Sequence, residues 1–185
     1  MTPAEVAGRL ERLRSTLVPA IVAELTETGL DAQARAKLNA TSRPRVRSGR
    51  LRSSIATGTE VTSTGAAVHL FAGGPAVRYA WMQDQGGVIR PRGRVLAIPI
   101  GAGRTAAGVG RYPSPRAVPG GFWRRTRAGK LLFGHRVGGR FEALFVGVRQ
   151  VTIPATYFAT DAWAQATAGL DDRIRTRVRA LWGRS

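Results

Sequence analysis

Apolar residues recur every three or four positions at both ends of the chain. Near the N-terminus these positions are Val6, Leu10, Leu13, Leu17, Ile21 and Leu25, and near the C-terminus they are Trp163, Ala166, Leu170, Ile174, Val178 and Leu181. This spacing places them on one face of a helix. Thr2 and Glu5 flank a proline and an alanine, which predicts a capping box at the start of the first helix. We expect that helix to reach about Ala40, with a kink or a break at Pro19, and we expect one last helix after Pro154.

Between the two helices, short apolar segments separated by glycine and proline predict β-structure. Residues 57–62 and 66–71 flank a short turn and predict a hairpin. Further segments predict a short helix at 76–85 and strands at 88–89, 95–100, 130–133, 141–148 and 150–153. The sequence therefore predicts a single α+β domain over residues 1–185. Its N-terminal and C-terminal helices should pack on a mainly antiparallel sheet.

Two segments lack an apolar period and are predicted to be long, mobile loops. Residues 41–52 carry an arginine at nearly every second position, and proline and glycine interrupt regular structure there. Residues 101–130 are rich in glycine, proline and arginine. A loop of that length in a compact domain is usually functional or disordered.

The net charge of the chain is the strongest indication of what it binds. Its 185 residues include 29 Lys+Arg and 11 Asp+Glu, which gives a formal net charge of +18. Such a chain repels itself unless it meets an anion, so we expect DNA, RNA or an acidic protein surface as a partner. An arginine-rich coding bias accounts for part of the excess. No apolar run approaches the roughly 20 residues that span a bilayer, and the first residues lack the layout of a signal peptide.

The residue types that perform catalysis do not come together along the sequence. The chain has two histidines, His69 and His135, and no cysteine. No serine lies in a Gly-x-Ser-x-Gly elbow. Asp171 and Asp172 are neighbours on a helix, so their side chains diverge by about 100° and chelate poorly. The sequence therefore predicts a protein that is not an enzyme and that holds no metal and no cofactor.

Two arginine clusters are the candidate contact residues for a partner or for DNA. The first comprises Arg43, Arg45, Arg47, Arg50 and Arg52, and the second comprises Arg124, Arg125, Arg127 and Lys130, next to Phe122 and Trp123. Guanidinium groups bind phosphate or carboxylate through two parallel hydrogen bonds, and neighbouring aromatic rings could stack on bases. The alternatives are solvated loops, or loops that become ordered on contact with DNA or a partner subunit. Base-specific readout is not expected, because no helix carries these arginines in a helix-turn-helix context.

Three further segments stand in a fixed order between the helices. They contain Gly49 and Leu51, then Tyr79, Ala80, Asp84, Gly86 and Gly87 followed by Ile98 and Pro99, and finally Ile153 and Pro154. Together they resemble the tail-completion or head–tail connector (neck) proteins of tailed phages, a group that overlaps minor tail and virion morphogenesis proteins. At positions 83–85 and 156–157 the chain departs from the residues that are usual in that family.

The resemblance implies a structural virion protein of the neck or tail, assembled in the host cytoplasm. It implies a ring of identical subunits, a hexamer, that joins the DNA-filled head to the tail and allows DNA to pass. Its partners would be neighbouring neck and tail proteins, with non-specific DNA contact and no membrane. The alternatives left open are a tail-terminator or tail-tube protein, a gene-transfer agent or prophage counterpart, and a basic nucleic-acid-binding protein outside the virion.

Overall fold

The computed structural model describes residues 2–43, 49–62 and 65–182 of the chain. The fold is α+β, as the sequence predicts, with a long N-terminal helix, a C-terminal helix and antiparallel strands. The chain divides into two compact units, and the single domain stays a prediction. The helical unit comprises Met1–Arg45, Arg50–Asp84 and Thr156–Ser185, and the sheet unit comprises Val46–Gly49 and Gln85–Ala155, each within the described residues.

The helical unit contains most of the helices and one hairpin. Its elements are α1 (Pro3–Ser42), α2 (Arg50–Ser53), β1 (Ala56–Val61), β2 (Ala66–Phe71), α3 (Ala80–Gln85), α4 (Thr160–Thr167) and α5 (Leu170–Trp182). Strands β1 and β2 form the predicted antiparallel hairpin. The core of the unit is built around the fully buried Phe158 and Ile55, which pack with Leu51, Val77 and alanines of α1, α3 and α4.

Helix α1 begins where the capping box predicts and does not break at Pro19. The Thr2 hydroxyl accepts a hydrogen bond from the Glu5 backbone amide, and the Glu5 carboxylate accepts one from the Thr2 amide at 2.6 Å. Of the two outcomes predicted at Pro19, a kink or a break, the break is wrong, because the helix runs through Pro19 to Ser42. Proline removes the donor for the Ser15 carbonyl. Ser15 and Pro19 are both exposed, so water can satisfy that carbonyl.

Gly29 is the position at which α1 contacts the hairpin. A Cβ atom there would lie 2.5 Å from Thr57 Oγ1 and 2.6 Å from Val68 Cγ2. Three residues earlier, the hydroxyls of Thr26 and Thr59 are 3.1 Å apart. The absence of a side chain at position 29 therefore lets the helix lie directly on the two strands, although glycine weakens a helix in isolation.

The C-terminal segment forms two helices where the sequence predicts one. Helix α4 ends before Gly169, whose φ of 68° lies in the left-handed region that ends many helices. The Arg173 guanidinium donates hydrogen bonds to the carbonyls of Ala166 and Ala168, which are among the last acceptors of α4. Helix α5 then packs along α1 with Ile174 and Val178 half-buried.

The sheet unit contains two antiparallel sheets. Strand β3 (Gly87–Ile89) pairs with β8 (Val151–Ile153). The four-stranded sheet has the order β4-β7-β6-β5, with β4 at Leu96–Pro99, β5 at Phe122–Arg125, β6 at Leu131–Val137 and β7 at Arg140–Val148. These strands confirm the β-structure expected between the helices.

The predicted loop at 101–130 is more regular than the sequence suggests. It contains two short 3-10 helices, Gly101–Gly103 and Pro115–Ala117, and all of β5. Val118 is buried against Phe133, Leu144 and Phe145, and Tyr112 packs on the same cluster. The segment therefore covers one face of the sheet and completes its core. Among the described residues, no helix combines the length and hydropathy that crossing a bilayer requires.

Candidate interaction surfaces

The second and third segments of the family resemblance meet at Asp84. Its buried carboxylate accepts hydrogen bonds from the Ala159 amide at 2.8 Å, the Thr160 amide at 3.3 Å and the Thr160 hydroxyl. Ala159 stands at the start of α4 and has no side-chain oxygen to cap the helix. Asp84 therefore supplies that cap from a distant part of the chain, and its negative charge is favourable at a helix N-terminus.

The backbone around Asp84 is held to the third segment of the resemblance. The amides of Thr156 and Tyr157 donate to the carbonyls of Gln83 and Asp84, at 3.1 Å and 2.9 Å. Gly86 follows with a φ of 73°, and a Cβ there would lie 2.6 Å from the Ala155 nitrogen. Only glycine fits this position.

Most other residues of the resemblance also serve the fold. Leu51 and Ala80 are buried in the core of the helical unit. Gly49 has a φ of 68° just before α2. The remaining members lie in or beside strands: Gly87 in β3, Ile98 and Pro99 in β4, Ile153 in β8 and Pro154 directly after it. Tyr79 differs, because its side chain is exposed.

The first arginine cluster does not form one loop. Helix α1 extends to Ser42, and α2 already begins at Arg50, so both ends of the predicted 41–52 loop are helical. The Arg43 guanidinium is ion-paired with Asp161 and also donates to the carbonyls of Thr156 and Tyr157, at 3.0 and 3.1 Å. It holds α1 to the start of α4 and has a structural role.

Of the other members of this cluster, Arg50 and Arg52 are exposed on α2. Arg45 and Arg47 lie outside the described residues. Their contact with a partner or with DNA stays a prediction.

The second cluster belongs to a larger basic surface, which the strand register assembles. Leu131 at the start of β6 pairs with Gly147, and Leu96 at the start of β4 pairs with Val148. Arg125 at the end of β5 pairs with Leu131. The turns before β4, between β5 and β6, and after β7 therefore all lie at one end of the four-stranded sheet.

Seven exposed basic residues lie in these three turns or, in the case of Arg125, at the strand end beside one of them. We call them the basic rim: Arg90, Arg92, Arg94, Arg125, Arg127, Lys130 and Arg149. Arg90 directly follows β3, whose last residue pairs with Val151 at the start of β8. Arg90 and Arg149 thus flank the same end of that pair of strands. Arg124 is not counted in the rim. It precedes Arg125 on β5 and so points to the opposite face of the sheet from Arg125, and its guanidinium lies 5.6 Å from the centre of the Phe141 ring.

Almost no negative charge balances the rim within its own unit. Residues 85–155 contain 13 Lys+Arg and one acidic residue, Glu142, which gives a formal charge of +12. The Glu142 carboxylate lies 3.2 Å from His135 Nε2. It is six residues from Val148 along β7, about 20 Å from the rim. Among the described residues, none of the rim cations forms an ion pair.

The turn between β5 and β6 is fixed by its own hydrogen bonds. The Thr126 amide donates to the Lys130 carbonyl at 2.9 Å, and the Gly129 amide donates to the Thr126 carbonyl at 3.0 Å. The Arg125 guanidinium donates to the Gly129 carbonyl at 3.3 Å. Arg127 and Lys130 are therefore displayed by a preformed turn.

The aromatic residues beside the second cluster pack within the sheet. The Phe122 ring lies 5.4 Å from that of Phe141, and the Trp123 ring meets that of Phe133 edge-on at 5.2 Å. Both side chains of β5 remain about 40% exposed. Their large apolar area stabilises the sheet, which leaves less of it for stacking on bases.

Sequence reasoning missed a set of apolar residues that have no core to enter. No described side chain of α1 before Glu24 is buried, although Val6 and Leu17 lie on its apolar face. Leu38 and Trp81 are 69% and 68% exposed. The apolar period could not reveal this, because the pattern is the same whether its partner lies in the same chain or in another.

A groove of about 540 Å³ lies between α1 and the hairpin of the helical unit. Its walls include Val18, Ile21, Val61 and Ala66. Within the described part of the chain, no group of three or more histidine, aspartate or glutamate residues could hold a metal ion. Comparison with family models, curated proteins and solved structures found no match to this chain.

Proposed function

We propose that the chain is a structural subunit of the tailed-phage neck, which joins the DNA-filled head to the tail as a ring of identical copies. The observation that carries this proposal is the first half of α1. Residues 3–23 form about 30 Å of helix, and no described side chain in this part is buried. Apolar residues on a helix face that the rest of the chain leaves unburied offer a surface to another chain.

Exposed apolar residues outside the first half of α1 also favour assembly into a closed ring. Leu38 in the second half of α1 and Trp81 in α3 belong to the helical unit, and both are exposed. Exposed apolar residues at separate places in the sequence suit a heterologous interface, in which one part of a subunit meets a different part of the next copy and the series closes into a ring.

The position of the resemblance residues also supports the proposal. Asp84, Gly86 and Pro154 lie in segments about 70 residues apart, yet hydrogen bonds join these segments at one place. Their spacing in the sequence thus has a single structural cause. A common structural role of this kind is what a family sharing these residues would need, and it supports the proposal.

The decisive experiment is a reconstruction of native particles that locates this chain. Density for the chain in a ring between the portal and the tail is expected, with six copies if the resemblance holds. Particles that lack the polypeptide would contradict the proposal.

Self-assembly gives a second test. In sedimentation velocity of the purified chain, alone or with a neighbouring neck protein, we expect closed rings. Val6→Asn combined with Leu17→Asn should reduce ring formation about tenfold or more, because it removes apolar area from the interface. The control is Arg12→Asn combined with Ser15→Asn on the polar side of α1, which should assemble as the unchanged chain does. Equal loss in both variants would mean that the stripe is not the interface.

A second candidate function is a basic nucleic-acid-binding protein outside the virion. The basic rim favours it, since seven exposed cations at one end of a sheet suit a polyanion. Salt-sensitive binding to DNA by a protein that particles lack would support this candidate over the first.

A further inference from the structure

We infer that the basic rim binds the phosphate backbone of double-stranded DNA and does not read its sequence. This inference rests on the proposed neck function for its biological setting. Its physical basis is separate and lies in the sheet unit alone. Three turns far apart in the sequence bring their cations to one end of the sheet, and the one carboxylate of residues 85–155 is about 20 Å away.

The dimensions of the rim match the charge density of a duplex. Four strands spaced by about 4.8 Å make the sheet about 14 Å wide. A duplex carries about one charge per 1.7 Å of its axis, so about eight phosphate charges lie along that width. The rim offers six cations in or beside the turns at that end of the sheet, and Arg90 follows β3 of the other sheet. Contact would therefore release several counterions at once, which is the main source of non-specific affinity for DNA.

The residue types of the rim suit phosphate. Six of its seven members are arginines, whose planar guanidinium groups bind phosphate oxygens in pairs. The turn that displays Arg127 and Lys130 is closed by internal hydrogen bonds before any ligand arrives. Binding there costs little ordering of the backbone.

The shape of the rim argues against base recognition and against single strands. The rim consists of turns, whereas the major groove is read by a helix or a two-stranded ribbon inserted into it. Single strands are held by stacking on aromatic rings. Phe122 and Trp123, the exposed aromatic residues next to the second cluster, pack against other rings of the sheet. Of these three kinds of nucleic-acid contact, the rim therefore best fits a duplex that is bound through its phosphates.

An acidic protein surface is the competing partner, and the composition of the rim makes it the weaker one. Protein interfaces depend on apolar or aromatic anchors at their centre. The rim turns hold glycine, proline, alanine and polar residues between the cations. Ile89, which precedes Arg90, is 38% exposed, whereas the more exposed Trp81 and Leu38 belong to the other unit of the chain.

The test is the affinity of the full chain for 20-base-pair duplexes of two unrelated sequences, measured by fluorescence anisotropy from 50 to 200 mM NaCl. The rim variant combines Arg127→Gln, Lys130→Gln and Arg149→Gln. The control variant, Arg78→Gln with Arg175→Gln and Arg179→Gln, removes the same charge from exposed positions of the helical unit.

The unchanged chain should bind both duplexes equally and lose about 10³-fold in affinity over this salt range, if about six phosphates are contacted. The rim variant should have a slope of log affinity against log salt that is shallower by about 2.7. The control variant should change that slope by less than about 1. Equal changes in the two variants would overturn the inference, because attraction would then follow net charge alone.

Two further binding measurements distinguish duplex DNA from single-stranded nucleic acid and from an acidic protein. Tighter binding to an unstructured single strand than to the duplex would overturn the inference in favour of stacking. Binding to polyglutamate with none to the duplex would overturn it in favour of an acidic protein. A wild-type chain found in the neck that does not bind duplexes defeats this inference alone. Duplex binding by a chain that particles lack defeats the neck function alone.

Discussion

The helical unit and the sheet unit differ in what their arginines pair with. In the helical unit, Arg173 donates to the Glu24 carboxylate at 2.7 Å and to two helix-end carbonyls, and Arg43 is ion-paired with Asp161. In the sheet unit, the described arginines and lysine form no ion pair with a carboxylate, and Arg104 and Arg125 donate to backbone carbonyls only. Arginine thus connects elements through carboxylates in one region and keeps an unbalanced charge in the other.

The difference follows from where the carboxylates are. Residues outside 85–155 hold 16 Lys+Arg and 10 Asp+Glu, whereas residues 85–155 hold 13 and one. An arginine near a carboxylate gains a hydrogen-bonded partner and becomes fixed. An arginine without one stays hydrated and available to an external anion. The comparison teaches that the role of a cation is set by the neighbours which the fold gives it.

The largest effect that we expect in this comparison comes from Glu24. Its side chain is 8% exposed and accepts from Arg173 and from Arg177, whose nitrogen lies 3.1 Å away. Glu24→Ala removes the acceptor of both. The free energy of unfolding, measured with urea, should fall by about 2 kcal/mol, less than for a fully buried pair because both arginines are partly exposed.

Glu27→Ala is the matched control for this change, because Glu27 is exposed on the same helix. Its effect should stay within about 0.5 kcal/mol. If the two variants unfolded at the same urea concentration, the contacts of Glu24 with α5 would contribute nothing measurable to the free energy of unfolding.

A smaller change in stability is expected at Gly29. Helix propensity alone predicts that Gly29→Ala stabilises the protein, whereas we expect it to destabilise the protein. Gly29→Ala places a methyl group against Thr57 and Val68 of the hairpin. The clash should outweigh the gain in propensity and lower stability by about 1–2 kcal/mol in thermal unfolding. Gly8→Ala, in the exposed part of α1, meets only Arg12 Nη1 at 3.9 Å and should leave stability unchanged or raise it by up to about 1 kcal/mol. Stabilisation by both substitutions would show that the hairpin does not lie on α1 at this point.

The smallest effect on stability should come from the basic rim. Arg127→Gln, Lys130→Gln and Arg149→Gln remove exposed cations that hold no ion pair within the described residues. Urea unfolding should shift by no more than about 0.5 kcal/mol, with any gain arising from reduced repulsion. A loss of 2 kcal/mol or more would mean that these cations support the fold, as Arg173 does.

Local signals in the sequence predicted much of the fold. The capping box located the start of α1, and short apolar segments between turn residues located the β1–β2 hairpin and most of the other strands. A break, one of the two outcomes predicted at Pro19, does not occur, and the division of the last helix at Gly169 was not predicted. Proline costs a helix one hydrogen bond, which exposed backbone tolerates, whereas Gly169 changes the hand of the backbone and divides the last helix.

Non-local pairing explains why the candidate surfaces were harder to predict. Arg125, Arg127 and Lys130 are close in sequence and could be found there. Their proximity to Arg94 and Arg149 depends on the pairing of Leu96 with Val148, which are 52 positions apart. Asp84 could not be identified as a helix cap for the same reason, since its partners Ala159 and Thr160 lie 75 and 76 positions away.

The hydrogen bonds that tie Thr156 and Tyr157 to Gln83 and Asp84 have one more consequence. The polypeptide enters the long segment of the sheet unit after Asp84 and returns at Thr156, and hydrogen bonds connect these two points. Residues 85–155 are therefore an insertion whose flanking residues are held together within the helical unit. We expect changes in its length or charge to leave the packing around Phe158 intact.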